Sequence, residues 1–91
     1  AVHEAEAHVQ RILNRLPPRE REFVEAMAEL APEERSLTNI ANRLGLKKAT
    51  DAGPTAQRLD LTRRIIRRGR PYRFQHRAVG AYLTSEWPEV G

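Results

Sequence analysis

Residues 36–61 read SLTNIANRLGLKKATDAGPTAQRLDL, and this stretch decides the fold. Ser36 is a good helix N-cap, because its hydroxyl can accept from an amide left open in the first turn. Leu37, Ile40, Ala41 and Leu44 then recur at helical spacing as one apolar face, while Asn39, Asn42 and Arg43 project away. Gly45 stands where a left-handed residue stops a helix, and Leu46 turns the chain back toward the core. A second helix is predicted from near Thr50. Gly53-Pro54 would break a helix interior but is tolerated within a first turn. Ala52, Ala56 and Leu59 line its inner face, leaving Thr50, Pro54, Gln57 and Arg58 outside. Leu61 falls on the opposite side, so the helix is expected to end or distort over residues 60–62. A short helix, a glycine turn and a further helix make a helix-turn-helix, with Ala41 small enough for the two helices to cross closely.

Upstream, Val2, Ala5, Val9, Ile12, Leu13 and Leu16 form an apolar stripe that Pro17-Pro18 ends, since a residue before proline is pushed out of helical dihedrals. The chain opens without methionine inside this stripe, and a piece cut from a longer protein with a connecting helix retained is the expectation. His3 and His8, five apart on this helix, are poorly spaced for two ligands and read as surface histidines. A second helix is predicted over Pro18 to Leu30, with Pro18 suited to its first turn. Phe23, Ala26, Met27 and Leu30 face inward; Glu20, Glu22, Glu25 and Glu29 lie largely outward. APEER, residues 31–35, is a connecting loop.

Downstream, RRIIRRGRPYRF spans residues 63–74. Tyr72 and Phe74 alternate with Arg73 at the period of a half-buried strand, Ile65 and Ile66 supply its partner, and the Gly/Pro stretch between them predicts a short hairpin. The two aromatics are expected under the hairpin, with Arg67, Arg68, Arg70 and Arg73 around its tip and outer face. Val79, Tyr82, Leu83 and Trp87 predict a short closing helix that Pro88 ends. The expected architecture is mostly α with a small β-hairpin: a winged helix-turn-helix of three core helices plus a wing, with an extra N-terminal helix and a short C-terminal helix. Its divisions are a connecting helix at 1–16, the winged domain at 17–87 and a tail at 88–91. The expected core is Phe23, Met27, Leu30, Ile40, Leu44, Leu59, Ile65 and Phe74.

Charge is distributed unevenly. Residues 1–35 carry five arginines against eight glutamates, whereas residues 36–91 carry eleven Lys and Arg against four acidic residues. All eleven lie between Arg43 and Arg77, where only Asp51 and Asp60 oppose them, a field that favours a polyanion at one end of the molecule. With no cysteine, disulfide frameworks and thiolate chemistry are excluded. No apolar run approaches membrane-spanning length and no signal-peptide pattern opens the chain. There is no GxxxxGK[ST] phosphate loop. His76 has no acidic neighbour in sequence to orient it, and Asp51 and Asp60 have no acid/base companion, so an enzyme is not expected.

A helix-turn-helix presents its second helix to the major groove, and a basic hairpin beside it reaches phosphates or a narrow minor groove. On this reading Thr50, Gln57 and Arg58 are the candidate recognition-helix contacts. Gln57 and Arg58 face base edges, where Gln pairs with adenine and Arg with guanine. Lys47, Lys48, Arg64, Arg67, Arg68, Arg70 and Arg73 form the wing and its flanks.

The segments LPPREREFVEAMAEL, LTNIANRLGL, GPTAQRL, RIIRRGRPYRF and AVGAYL together resemble the winged helix-turn-helix domain at the C-terminus of prokaryotic AAA+-type ATPases, origin-recognition-like proteins and related bacterial ATPases among them. The likeness covers about residues 16–84, its most discriminating pair being the L-P-x-R-E-R-x-F opening and G-P-T-x-x-R-L. It implies that residues 50–61 are the recognition helix and 67–73 the wing. The chain departs from the pattern after Leu59: Arg63 stands where a glycine commonly ends that helix. The implied function is a DNA-binding module that anchors a larger protein, an ATPase, on duplex DNA, with the nucleotide-binding domain covalently linked upstream. No cofactor, metal, small-molecule substrate or membrane is expected, and the setting is cytoplasmic and nucleoid-associated. The alternative is a protein-interaction winged helix, in which the acidic N-terminal half docks a partner or the parent ATPase domain.

Overall fold

The computed structural model describes residues 2–84, and side chains over residues 6–84. The element order is α1 (Val2–Arg15), α2 (Pro18–Glu29), α3 (Leu37–Arg43), α4 (Gly53–Leu61), β1 (Ile66–Arg67), β2 (Arg73–Phe74) and α5 (Arg77–Leu83). Short 3-10 turns at Pro32–Glu34 and Ala49–Ala52 precede α3 and α4. The chain is therefore mostly helical with one small antiparallel hairpin, in the order of a winged helix-turn-helix. No helix among the described residues is long and apolar enough to cross a membrane.

The turn that defines the fold forms as the sequence dictates. Ser36 Oγ accepts from the Asn39 amide at 3.1 Å and starts α3. At the other end Gly45 adopts φ +75 and frees two bonds, Leu46 N–H to Ala41 O at 3.0 Å and Gly45 N–H to Asn42 O at 3.1 Å. That pair is the Schellman closure, which satisfies carbonyls the helix leaves open. The second helix starts in two steps, because Gly53-Pro54 occupies its first turn and the preceding residues 49–52 take the tighter 3-10 form. Ala52, Ala56 and Leu59 are buried as expected, and α4 ends at Leu61.

One core joins every segment. Phe23, Met27, Ile40, Leu59 and Ile65 are buried. Leu30, Leu44 and Phe74, also expected there, are only partly buried. Leu30 and Leu44 are the residues that cap α2 and α3, so their side chains sit at the rim. Val9, Leu13, Val24, Ile66 and Val79 complete the interior instead. The α1 stripe thus enters the same core, and Gln10 Nε2 donates to the Tyr82 hydroxyl at 3.1 Å where α1 meets α5. Glu20 was expected to lie outward with the other glutamates of α2; it is instead 2% exposed, because two arginines close over its carboxylate. Arg35 is also buried, donating Nε–H to Met27 O at 2.7 Å and lying 5.1 Å over the Phe74 ring.

The hairpin pairs Ile66 with Phe74 and Arg67 with Arg73. Ile65 lies just outside the ladder, its carbonyl accepting from Gln75 and His76. Tyr72 is buried beneath the hairpin, and its amide donates to Arg35 O at 2.7 Å, which ties the hairpin to the chain entering α3. His76 caps α5, its Nδ1 accepting from the Val79 amide at 3.4 Å. Trp87, expected as an aromatic anchor, lies outside the described residues.

Candidate nucleic-acid interface

The helix α4 is held by its small inner residues against α2, so its outer side stays free. Pro54, Gln57, Arg58 and Leu61 are exposed on it, and Thr50 is exposed just before it. At 100° per residue, Pro54, Gln57, Arg58 and Leu61 fall within about a third of the helix circumference. Leu61 is the one exposed large hydrophobic residue among the described ones, at 58%. Lys47 and Lys48 are exposed in the turn ahead of the helix. Arg64 is exposed behind it and holds φ +57, a conformation that L-residues with a Cβ adopt at a cost. The left-handed residue after α4 is therefore Arg64, one position beyond the Arg63 singled out in sequence.

The wing arginines divide into two sets. Arg68 is tied back: its Nε donates to Asp60 Oδ2 at 2.9 Å and its amide donates to the same oxygen at 3.3 Å. These bonds hold the Asp60 carboxyl below its ordinary range and join the last turn of α4 to the hairpin. Arg67, Arg70 and Arg73 are exposed and form no ion pair among the described residues, Arg67 feeling Asp60 only at longer range. Arg67 and Arg73 face each other across the ladder, with β1 buried at Ile66 and exposed at Arg67. Arg70, with Gly69, Pro71 and Tyr72, walls a concavity closed on its other side by Glu33, Ser36, Leu37 and Thr38. Burial pushes the Tyr72 phenol above its usual value, which keeps it neutral there.

Arg58 is 61% exposed, yet its Nη1 lies 3.7 Å from Glu20 Oε2. Arg63 reaches the other oxygen of the same carboxylate, Nε to Oε1 at 2.9 Å. Arg43, the most upstream of the eleven basic residues after residue 35, pairs with Glu29 across α3 and α2. The structure thus brings Thr50, Gln57, Arg58, Arg64 and the hairpin onto neighbouring elements, and it neutralises part of the charge with Glu20, Glu29 and Asp60. Glu20 is the residue sequence reasoning missed. Its only sequence signal is an acidic residue in the first turn of α2, where three more glutamates follow on the same helix. No group of three or more His, Asp or Glu side chains among the described residues is placed to hold a metal ion.

The chain belongs to the family described as Domain of unknown function (DUF8462), which matches residues 7–72, from within α1 into the hairpin. No curated protein and no solved structure matches the chain.

Proposed function

We propose that this domain binds duplex DNA and anchors a larger protein on it, with the outer side of α4 in the major groove and the arginines of the hairpin on phosphates or in the minor groove. One observation carries the reading. Arg67 and Arg73 are directly opposite in the ladder, and like charges at such a cross-strand position destabilise a hairpin. Neither is in an ion pair among the described residues, and Asp60 attracts Arg67 only at longer range. A polyanion lying along that face removes the repulsion. The spacing supports this: the same hairpin follows directly on the exposed helix of a helix-turn-helix, the arrangement that sets a wing beside a groove.

The likeness of LPPREREF and GPTAQRL to the C-terminal domains of prokaryotic AAA+-type ATPases supplies the context: a non-enzymatic anchor in the cytoplasm, at the nucleoid, joined to an ATPase domain upstream. A second reading is docking of a protein partner, in which Leu61, exposed on the same helix, would be a contact. Titration of the chain with an unrelated duplex at low and moderate salt separates them. Affinity that falls steeply with salt supports DNA binding, since each neutralised phosphate releases counterions. No binding in dilute buffer overturns it in favour of the protein partner.

A further inference from the structure

Glu20 sits in the first turn of α2, 2% exposed, and both of its holds are on the segment that presents the candidate DNA-reading side. Oε1 accepts from Arg63 at 2.9 Å, just past the end of α4. Oε2 accepts no hydrogen bond and lies 3.7 Å from Nη1 of Arg58, whose side chain is otherwise mostly in solvent. A carboxylate buried this deeply is expensive unless its charge is answered, and among the described residues these two arginines are its ion-pair partners. The consequence falls on Arg58. A free arginine samples many rotamers, and ordering it on a base edge has an entropic penalty. Drawn at one nitrogen toward this buried carboxylate and otherwise exposed, Arg58 has further N–H groups for the paired contact that a guanine edge accepts.

We infer that Glu20 is a positioning residue for sequence recognition: anchored by Arg63, it orients Arg58 for a base contact without touching DNA itself. The inference rests on the DNA-binding reading above. It makes a prediction of opposite signs that simpler roles do not share. If Glu20 merely subtracted charge, Glu20→Gln would raise affinity for every duplex alike. If it merely supported the fold, the substitution would lower affinity for every duplex alike. As a positioning residue, Glu20→Gln raises affinity for an unrelated duplex, because one negative charge near the helix is gone, while it lowers the preference for a favoured duplex.

The test starts by enriching a favoured duplex from a random-sequence pool with the full chain. Affinities for it and for a scrambled duplex are then measured for the wild type, Glu20→Gln, Arg58→Ala, the double variant and Arg63→Lys, with thermal melts to confirm folding. Glu20→Gln is expected to reduce the preference by about fivefold to a hundredfold, the range for one oriented base contact. It should have no further effect on preference in the Arg58→Ala background, because both substitutions remove the same contact. Arg63→Lys conserves charge at a partly exposed position and loses the arginine geometry, so it should lower the preference with little change on the scrambled duplex. It also decides the matter if Glu20→Gln fails to fold: an unchanged preference in Arg63→Lys then overturns the inference. An unchanged preference in a folded Glu20→Gln, or a wild type with no preference at all, overturns it while leaving DNA binding standing. Absence of binding to any duplex overturns the DNA reading itself.

Discussion

Gly80 of α5 and Phe74 of β2 approach so closely that a Cβ on Gly80 would lie 2.9 Å from both Cβ and Cγ of Phe74. Glycine inside a helix is normally a weakness, about 1 kcal/mol worse than alanine. Here it is what lets the closing helix lie on the hairpin. The clashing atoms include the Cβ of the phenylalanine, which no rotamer change can move aside. Gly80→Ala should therefore destabilise the domain by about 1–3 kcal/mol, the range for overpacking, despite its better helix propensity. Urea denaturation of the two proteins reads this directly, and a stabilised variant would show that α5 does not press on the hairpin.

Ile40 and Leu44 occupy the same face of α3, but Ile40 is fully buried and Leu44, at the helix cap, only partly. Truncating Ile40 to alanine should destabilise by about 2–4 kcal/mol, and Leu44→Ala by less than about 2 kcal/mol. In so small a domain the first loss is a large share of the total stability. Equal losses for the two variants would contradict the packing of α3.

The contrast between those two residues also marks how far the sequence was legible. Periodicity located α1 to α4 and the inner face of α4, because burial of an apolar stripe dominates local preference. The Gly45 turn was legible because a positive φ leaves few alternatives to glycine. Depth was not: helix ends look like helix interiors in a pattern, so Leu30 and Leu44 were placed too deep. Nor was Glu20 distinguishable from Glu22 or Glu25, since what buries it is Arg63, 43 residues away. The basic character of the candidate interface was plain in the run from Arg63 to Arg73, while its partial neutralisation by Glu20 and Asp60 depended on contacts that only the fold creates.

Arg64 holds φ +57 immediately after α4. Glycine adopts that conformation without steric penalty, so Arg64→Gly should stabilise the domain by about 1 kcal/mol, offset in part by the greater freedom of glycine in the unfolded chain. The same substitution removes an exposed cation beside the helix. A higher melting temperature together with weaker DNA binding is the expected pair of outcomes. A lower melting temperature would mean that the arginine side chain stabilises this turn.

Asp60 binds both the amide and the guanidinium of Arg68, and its carboxyl is held below its ordinary value. A carboxyl depressed in the folded state contributes stability that is present above its unfolded value, near 4, and is lost as pH falls through the folded value. Asp60→Asn should therefore be less stable than the wild type at pH 7, and the gap should close as the pH drops below about 4. Urea midpoints for both proteins at pH 7, 4 and 3 check this. A gap that persists unchanged at pH 3 would place the effect of the substitution elsewhere than in the ion pair.

The division of the wing arginines implies a division in how their removal is felt. Arg67, Arg70 and Arg73 are exposed and in no ion pair among the described residues, so each is available to a phosphate. On duplex DNA every phosphate contact releases counterions and adds about 0.9 to the slope of log affinity against log salt. Replacing Arg70 or Arg73 by alanine should lower that slope by about one and weaken binding equally on favoured and scrambled duplexes. Arg68 is engaged with Asp60, and its charge is largely answered inside the molecule. Arg68→Ala should thus lower the slope by clearly less than Arg70→Ala while destabilising the hairpin. Arg58→Ala should lower the preference between duplexes instead, by about 1–3 kcal/mol at one base position if its contact is bidentate. Salt titrations of these variants on both duplexes give all the needed slopes. If Arg58→Ala and Arg70→Ala behave alike on both, α4 reads no bases, and the domain holds DNA by charge alone.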